Sequence, residues 1–195
     1  MKGKLIVVSG PSGSGKTTIA RRMMVLFPSL EFSISATTRP KRPSEVDGRD
    51  YYFLTKAAFR QRVESGEFVE WEELFGNFYG TLQTEIDRKL EGGKHLLFDV
   101  DVKGALSIKR RYPESFLVFV RPPSIEVLHQ RLCDRHTEDE DALRLRFDRA
   151  AMELDMRNSF DCQVLNENLE QAVASVSEFV KNHIHISGEE LNPCR

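Results

Sequence analysis

A glycine-rich segment near the start of the chain carries the residue types that bind phosphate. Its eight residues, Gly10-Pro11-Ser12-Gly13-Ser14-Gly15-Lys16-Thr17, match the pattern GxxxxGK[ST]. Glycines let backbone N–H groups turn inward around a phosphate, and the positive end of the following helix faces the same anion. Lys16 can reach the outer phosphates of a nucleotide, and the Thr17 hydroxyl can hold Mg²⁺. This segment, with Thr18, therefore predicts an ATP site.

Two acids, Asp99 and Asp101, stand at the end of the apolar run 95–100. In an open parallel sheet the carboxyl ends of the strands face the ligand crevice, and a magnesium site needs an acid there. We expect Asp99 to bind Mg²⁺ together with Thr17, directly or through a water. Strand alternation predicts that Asp99 and Asp101 lie on the same side of the chain. The alternative is a pair of ordinary acids at a strand end.

A cluster of cations follows in Arg39-Pro40-Lys41-Arg42, close to the acids Glu45, Asp47 and Asp50. Guanidinium groups gathered in one loop of a nearly neutral chain favour an anionic ligand, because their forked donors match phosphate oxygens. A solvated, charged loop is the alternative interpretation of the same residues.

The elements that must position these groups alternate along the chain. Short apolar runs at 5–8, 95–100, 116–120 and 162–165 predict strands buried on both faces. Helical patterns cover 17–27, 103–111, 124–135, 137–158 and 169–183, and the second-last of these opens with a capping box at Thr137. Strands separated by helices predict an α/β fold with a parallel sheet flanked by helices on both faces.

The stretch 35–93 does not follow this alternation of strands and helices. Its patterns predict antiparallel strands at 51–54 and 68–74, a helix at 55–65 and a hairpin turn at 75–78. We interpret it as a mixed α+β insertion that covers the edge of the core sheet. Within it, Phe68 and Trp71 are assigned to hydrophobic core.

Composition limits the remaining possibilities. The chain has 195 residues and 22.4 kDa, which suits one domain, and its 28 Lys+Arg and 30 Asp+Glu leave a net charge of −2. That balance argues against a surface that coats nucleic acid. No apolar run is long enough for a membrane span, and we find no secretory signal. The three scattered cysteines, Cys133, Cys162 and Cys194, argue against a disulfide framework, so we expect a cytoplasmic protein.

Several further segments resemble the guanylate kinase family, in the right order from Leu5 to about Val180. They are Ser35-Ala36-Thr37-Thr38-Arg39, Glu45-Val46-Asp47-Gly48-Arg49-Asp50-Tyr51, Phe68-Val69-Glu70-Trp71, Gly76-Asn77-Phe78-Tyr79-Gly80-Thr81 and Asp99-Val100-Asp101-Val102-Lys103-Gly104-Ala105. The resemblance implies Mg²⁺-dependent transfer of the γ-phosphate of ATP to GMP. It also implies three parts in one domain: a P-loop core at 1–34, 94–130 and 150–186, a GMP-binding insertion at 35–93 and a helical lid at 131–149. Residues 187–195 would form a frayed tail.

The resemblance also assigns roles to residues of the insertion and the core. It implies that the GMP phosphate is held by Arg39, Arg42, Tyr51 and Tyr79, with Glu45 supporting the arginines, and that guanine is read by Ser35, Glu70, Thr81 and Asp101. The chemistry of guanine agrees, since its N1–H and N2–H₂ groups suit carboxylate acceptors and its O6 suits hydroxyl groups. Adenine presents an acceptor at N1 and would leave the carboxylates unpaired.

The lid supplies the remaining cations. By resemblance, Arg135 and Arg146 close on the transferring phosphates, where they act with Lys16 and Arg42, and Arg131 lies over the adenine of ATP. Two other arginines of this region, Arg144 and Arg149, are expected on the helix surface, where they would pair with Asp134, Glu138 or Asp148.

Two other functions stay open at this point. A P-loop kinase acting on a phosphorylated sugar would need the loop at Lys16 but not Glu70 and Asp101. A catalytically silent interaction module should have a decayed phosphate loop, whereas residues 10–17 are intact. We expect ATP and GMP as partners, no nucleic acid or membrane, and a monomer or small homo-oligomer.

Overall fold

The computed structural model of the chain describes residues 3–74, 76–133 and 140–184. Its larger sheet has five strands in the order β2-β7-β1-β8-β9, and every neighbouring pair is parallel. The strands are β1 (Leu5–Ser9), β2 (Leu30–Phe32), β7 (His95–Asp99), β8 (Phe116–Arg121) and β9 (Cys162–Leu165). The predicted α/β fold with a parallel sheet flanked by helices is confirmed.

The central strand β1 explains why the apolar runs are continuous. All five of its residues are buried, because helices cover both faces of the sheet. Its neighbour β7 runs in register with it, so that Val8 pairs with Asp99. The chain therefore leaves β1 for the glycine-rich loop at the same sheet edge where Asp99 ends β7.

The helices form one layer on each side of this sheet. They are α1 (Lys16–Leu26), α3 (Gln83–Glu91), α4 (Val102–Arg111), α5 (Ile125–Cys133), α6 (Glu140–Asp155) and α7 (Leu169–Ile184). Residues of α1 and α7, such as Met23 and Val176, pack on one face of the sheet, and residues of α3 and α4, such as Ile86 and Ile108, pack on the other. Among the described residues, none of the helices is both long and apolar enough to cross a membrane.

A second, four-stranded sheet lies within the stretch 35–93, in the order β4-β3-β6-β5. It contains β3 (Ala36–Thr37), β4 (Tyr52–Phe53), β5 (Phe68–Leu74) and β6 (Asn77–Leu82), with α2 (Lys56–Glu64) packed on it. Thr55 caps α2 by accepting a hydrogen bond from the Ala58 amide, as a helix starting at 55–56 requires. Strands β5 and β6 form the expected hairpin, with Leu74 paired to Asn77.

Three expectations about this second sheet need correction. Strand β4 pairs in parallel with β3 and not in an antiparallel pair, and Asn77 and Phe78 belong to β6 and not to the turn. Trp71 is 47% exposed and not core, because β5 is the edge strand; its ring contacts Phe78 edge-on at 6.1 Å and stays half open to solvent. Phe68 is partly buried and stacks on Phe59.

Other differences concern short elements and chain ends. The sequence patterns did not predict β2 or α3, which follow Pro28-Ser29 and Leu82 respectively. Within the described residues, the long helix predicted at 137–158 corresponds to α6, and a 3-10 turn at Met156–Ser159 follows it. Arg135, the capping box that starts at Thr137 and the tail 187–195 lie outside the described residues.

The second sheet has a small core of its own, and this makes it sensitive to a single truncation. Phe59 is fully buried and stacks between Phe68 and Phe78, at ring-centroid distances of 4.3 and 5.4 Å. Phe59→Ala should lower the free energy of unfolding by about 3–5 kcal/mol, since few neighbours can fill the cavity. The control Gln61→Ala, an exposed change on the same helix, should stay within about 0.5 kcal/mol. Urea unfolding measures both, and equal small effects would contradict a separate core.

Candidate active site

The glycine-rich loop is held by a residue from the far end of the chain. Asn166, just after β9, donates from Nδ2 to the Ser14 carbonyl at 2.7 Å, and the contact is buried. Gly15 has φ +92°, and a Cβ there would lie 2.2 Å from Asn166 Nδ2. Only glycine permits both the left-handed backbone and this close approach. The loop is therefore fixed in shape before any ligand arrives.

Helix α1 starts at Lys16 with its first N–H groups available to an anion. Within the described residues, no side chain caps this helix, and its first turn contains no acid. Uncapped N–H groups and the helix dipole together favour a bound phosphate. Lys16 and Thr17 stand at this helix end and line the main cavity.

Asp99 and Thr17 meet at the end of the sheet. Thr17 Oγ1 donates to Asp99 Oδ2 at 2.5 Å. The other oxygen, Oδ1 of Asp99, is buried and has no hydrogen-bond partner among the described residues. A hydroxyl and a carboxylate with an unused oxygen beside a phosphate loop fit Mg²⁺, which binds few protein oxygens and completes its shell with phosphate and water. These two residues could hold the metal that the sequence predicted.

One cavity of about 290 Å³ brings most of the predicted residues together. Its lining includes the loop residues Gly10, Ser12, Lys16 and Thr17, and also Ser35, Tyr51, Glu70, Tyr79, Asp99, Asp101 and Arg146. It also contains three charged residues that the sequence did not place there: Glu72, Arg149 and Glu153. The cavity is therefore cationic at the loop and rich in carboxylates at its opposite end.

Glu70 lies at the carboxylate end, on β5. Its Oε1 accepts a hydrogen bond of 2.6 Å from Thr81 Oγ1 on the paired strand β6. Burial, with the nearby charges of Asp101 and Glu72, raises the pKa of Glu70 to about 7 despite that hydrogen bond. Thr81 is fully buried, and its hydroxyl donates its one proton to Glu70. In this structure the Thr81 hydroxyl therefore serves the carboxylate.

Asp101 is the N-cap of α4 and lies two residues beyond Asp99, where β7 ends. Its Oδ1 accepts from the Gly104 amide at 2.7 Å. Burial opposes its charge, but hydrogen bonds from Glu72 and Gly104 and the charge of Arg149 lower the pKa of Asp101 below its usual value. Asp101 is therefore held ionised at the N-terminus of α4.

The cationic loop after β3 is organised around Glu45. Arg39 makes a forked pair with this carboxylate, at 2.7 and 2.5 Å, and the Arg42 amide donates to it at 2.8 Å. These hydrogen bonds lower the pKa of Glu45 to about 2. Lys41 donates to the Glu45 carbonyl at 2.9 Å, so it supports the loop backbone. The Arg42 side chain is exposed and stays outside the cavity lining.

The two tyrosines connect this loop to the cavity. Tyr51 packs edge-on against Tyr79 at 6.4 Å, and the Arg39 guanidinium lies 4.9 Å from the Tyr51 ring centroid. Burial raises the pKa of the Tyr51 hydroxyl, against the opposing effect of Arg39. Tyr51 therefore offers a neutral O–H group to the cavity at neutral pH, and Tyr79 lines the same cavity.

Arg149 is not the surface residue that the sequence predicted. Its Nη2 donates to Glu72 at 2.6 Å and to Asp101 at 3.1 Å, and its Nε donates to Glu153 at 2.8 Å. Its partners thus come from β5, from the start of α4 and from its own helix. Arg144, predicted on the surface as well, is exposed.

The sequence contained partial signals for the missed residues. Glu72 lies two positions after Glu70 on β5, and a strand places such residues on the same face. Glu153 lies four positions after Arg149, the spacing of a helical ion pair. No local signal joins Arg149 to Glu72 or Asp101, which lie 77 and 48 residues away.

A second cavity adjoins the outer side of the phosphate loop. It is lined by Gly13, Gly15, Thr18, Arg131, Asn166, Glu167 and Leu169. Arg131 Nη2 donates to the Asn166 carbonyl at 3.3 Å. The predicted ATP-binding residues Thr18 and Arg131 therefore border this space, whereas Arg146 lines the main cavity.

The parallel sheet, the glycine-rich loop after its first strand and the adjoining cavity define a P-loop nucleotide-binding protein. The guanylate kinase family profile matches residues 2–183. A guanylate kinase from Chlorobium luteolum is 48% identical over 183 residues, covering 93% of both chains. One from Thermotoga maritima is 44% identical, covering 93% of this chain and 88% of that protein.

A solved structure gives the same result. The crystal structure of guanylate kinase from Anaplasma phagocytophilum has a TM-score of 0.75 and 27% identity, and the match covers 95% of this chain and 88% of that one. The chain belongs to the guanylate kinase family.

The raised pKa of Glu70 predicts a pH-dependent stability difference. Its folded-state pKa of about 7 lies above the usual 4.5, so the folded protein holds this proton more tightly than the unfolded chain does. The contribution of Glu70 to the free energy of unfolding is therefore fully present at low pH and is lost as the pH rises through 7. Glu70→Gln has no proton to lose, so its melting temperature relative to wild type should rise between pH 5 and pH 8.

The control for this prediction is Glu73→Gln, an exposed change on the same strand. Its melting temperature should follow wild type across the same pH range. Thermal unfolding of the three proteins at matched ionic strength measures the effect. If the difference in melting temperature between Glu70→Gln and wild type stays constant with pH, the raised pKa of the buried Glu70 carboxyl is contradicted.

Proposed function

We propose that the protein transfers the γ-phosphate of ATP to GMP, giving ADP and GDP with the help of Mg²⁺. One observation carries the proposal: the phosphate loop at Lys16 opens into the same cavity as the carboxylates Glu70 and Asp101. A phosphate loop supplies the donor site. Buried acceptors facing that loop supply a site for a base with N–H donors. Membership of the guanylate kinase family supports the same reaction.

Guanine recognition follows from the acceptors. Glu70 and Asp101 accept from guanine N1–H and N2–H₂, and the Ser35 hydroxyl donates to O6. Thr81 has one hydroxyl proton, so it serves O6 only by releasing its hydrogen bond to Glu70; while that bond is made, Thr81 orients Glu70. Adenine has no 2-amino group and offers an acceptor where guanine offers N1–H, so it would leave buried carboxylates unpaired at substantial cost. The insertion 35–93 is thus the GMP-binding part.

The GMP phosphate is held on the other side of the cavity by Arg39, Arg42, Tyr51 and Tyr79. Glu45 fixes Arg39 in its forked pair, which reduces the ordering that phosphate binding requires. Exposed Arg42 turns inward when the phosphate arrives. The hydroxyl groups of the two tyrosines donate to the phosphate oxygens.

The chemical step needs no general base. The attacking oxygen belongs to a phosphate whose second pKa is about 6, so it is anionic at neutral pH. Lys16 and the loop amides hold the ATP phosphates in line with it, and Arg146 and Arg135 approach from the lid 131–149 to stabilise the transferring group. Lid closure excludes water and so limits wasteful hydrolysis of ATP. Arg131, beside the loop, lies over the adenine of ATP.

Thr17 and Asp99 would hold the magnesium ion. The ion would supply positive charge beside the ATP phosphates and so stabilise the charge on the transferred group. The unused Oδ1 of Asp99 supports this assignment, because a buried acceptor without a donor suits a cation or its water. ATP and GMP are the partners, without nucleic acid or membrane. The protein acts in the cytoplasm as a monomer or small homo-oligomer.

The test is a panel of phosphate acceptors with MgATP: GMP, AMP, CMP, UMP and ribose 5-phosphate. GMP should be turned over much faster than the rest. Faster turnover of the sugar phosphate would favour the sugar-phosphate kinase, and no turnover of any acceptor by folded protein would favour the silent module. Either result would overturn the proposal.

Glu70→Gln tests the base assignment within that panel. The change keeps the size but turns an acceptor oxygen into a donor NH₂. A lost hydrogen bond to a charged group costs about 1.5–3 kcal/mol, so kcat/KM for GMP should fall roughly ten- to a hundredfold. The value for AMP should fall much less, and the GMP:AMP ratio is the diagnostic quantity. An unchanged ratio in a folded variant would remove Glu70 from the site.

Asp99→Asn tests the metal assignment. An amide is a poor ligand for a hard cation, so the Mg²⁺ concentration for half-maximal rate should rise roughly ten- to hundredfold. The dissociation constant for GMP without ATP should stay within about twofold, because Asp99 lies at the loop end of the cavity. A loss confined to GMP affinity would mean that Asp99 and Asp101 have exchanged roles.

A further inference from the structure

Arg149 occupies a position that the proposed reaction does not yet use. It lies on α6 and faces the carboxylate end of the cavity, where one Nη2 atom contacts both Glu72 and Asp101. The side chains of this cluster are well covered, with exposures of 28% for Arg149, 18% for Glu72 and 19% for Asp101. An ion pair with this little exposure is screened far less than a surface pair.

The contacts of Asp101 show what Arg149 does there. One oxygen of Asp101 accepts from the Gly104 amide and the other accepts from Arg149. A carboxylate with a donor on each oxygen cannot rotate without losing one of them. Its remaining lone pairs therefore point in fixed directions.

Charge balance points the same way. Five carboxylates line this cavity, Asp99 at the loop end and Glu70, Glu72, Asp101 and Glu153 at the other, and Arg149 contacts three of them directly. Lys103 is also beside Glu72, but it is 64% exposed and 3.7 Å away. Loss of the Arg149 side chain would therefore remove the guanidinium donor to Oδ2 of Asp101 and leave Glu72 beside the exposed Lys103.

We infer that Arg149 is a positioning residue for guanine recognition, which holds the Asp101 carboxylate in the orientation that accepts from the base. The inference rests on the proposed function, since it concerns the same GMP site. A plain surface role is disfavoured, because two of the three partners of Arg149 belong to other elements. The test also addresses the alternative, in which Arg149 only holds the lid helix in place.

The experiment compares Arg149→Gln, Arg149→Lys and the control Arg144→Gln, an exposed change on the same helix. We measure kcat/KM for GMP and for AMP, and KM for ATP. Arg149→Gln should lower the GMP:AMP ratio roughly tenfold or more, the effect of losing one charged hydrogen bond, while KM for ATP stays within about twofold. Lysine keeps the charge but not the fork, so it should lower the ratio by about threefold. Arg144→Gln should match wild type.

Equal losses for GMP and AMP would assign Arg149 to the lid and overturn the inference, as would an unchanged ratio. If Arg149→Gln does not fold, Arg149→Lys decides, and an unchanged ratio in that folded variant is the contrary result. The wild-type measurement distinguishes a failure of the proposed function from a failure of this inference. Wild type that fails to phosphorylate GMP refutes the proposed function, whereas normal GMP turnover with an insensitive Arg149 refutes only this inference.

Discussion

The site depends on keeping several carboxylates together in a largely enclosed cavity. Burial alone would protonate them, and it does raise the pKa of Glu70 and of Glu72 to about 7. Asp101 escapes this because hydrogen bonds from Glu72 and from the Gly104 amide at a helix N-terminus, together with the charge of Arg149, stabilise its charged form. The acids thus differ in how firmly they hold their charge, and the difference comes from the donors that the fold supplies to each.

Those donors come from elements that only tertiary structure brings together. Glu70 and Thr81 meet because β5 and β6 form a hairpin, whereas Asp101 caps α4 at the end of the core sheet. Arg149 on α6 reaches Glu72 of this hairpin and also Asp101. A small aromatic core holds the hairpin in place, and the parallel strands fix the phosphate loop. The core sheet therefore supplies the phosphate end of the cavity, and the carboxylate end combines residues of the second sheet with residues that follow the core sheet.

Local chemistry could be predicted from the sequence, and long-range pairing could not. The phosphate loop needs only consecutive residues, and the buried strands β1, β7 and β8 show themselves as apolar runs. Strand β2 has three residues and contains Glu31, too little for any pattern. The partners of Arg149 are set by how α6 packs against β5 and the start of α4, and no local pattern encodes that packing. The sequence therefore predicted only an ion pair on the helix surface.

Gly104 shows how closely the fold and the site are joined. Its amide donates to Asp101, which thereby caps α4, and a Cβ at this position would lie 3.0 Å from Glu70 Oε2. The residue whose N–H group Asp101 satisfies is therefore also the one that lets two carboxylates approach each other. A side chain there would separate Glu70 from Asp101 while leaving the helix intact. The spacing of the two proposed base acceptors is thus set by a backbone contact of the core and not by the loop that binds phosphate.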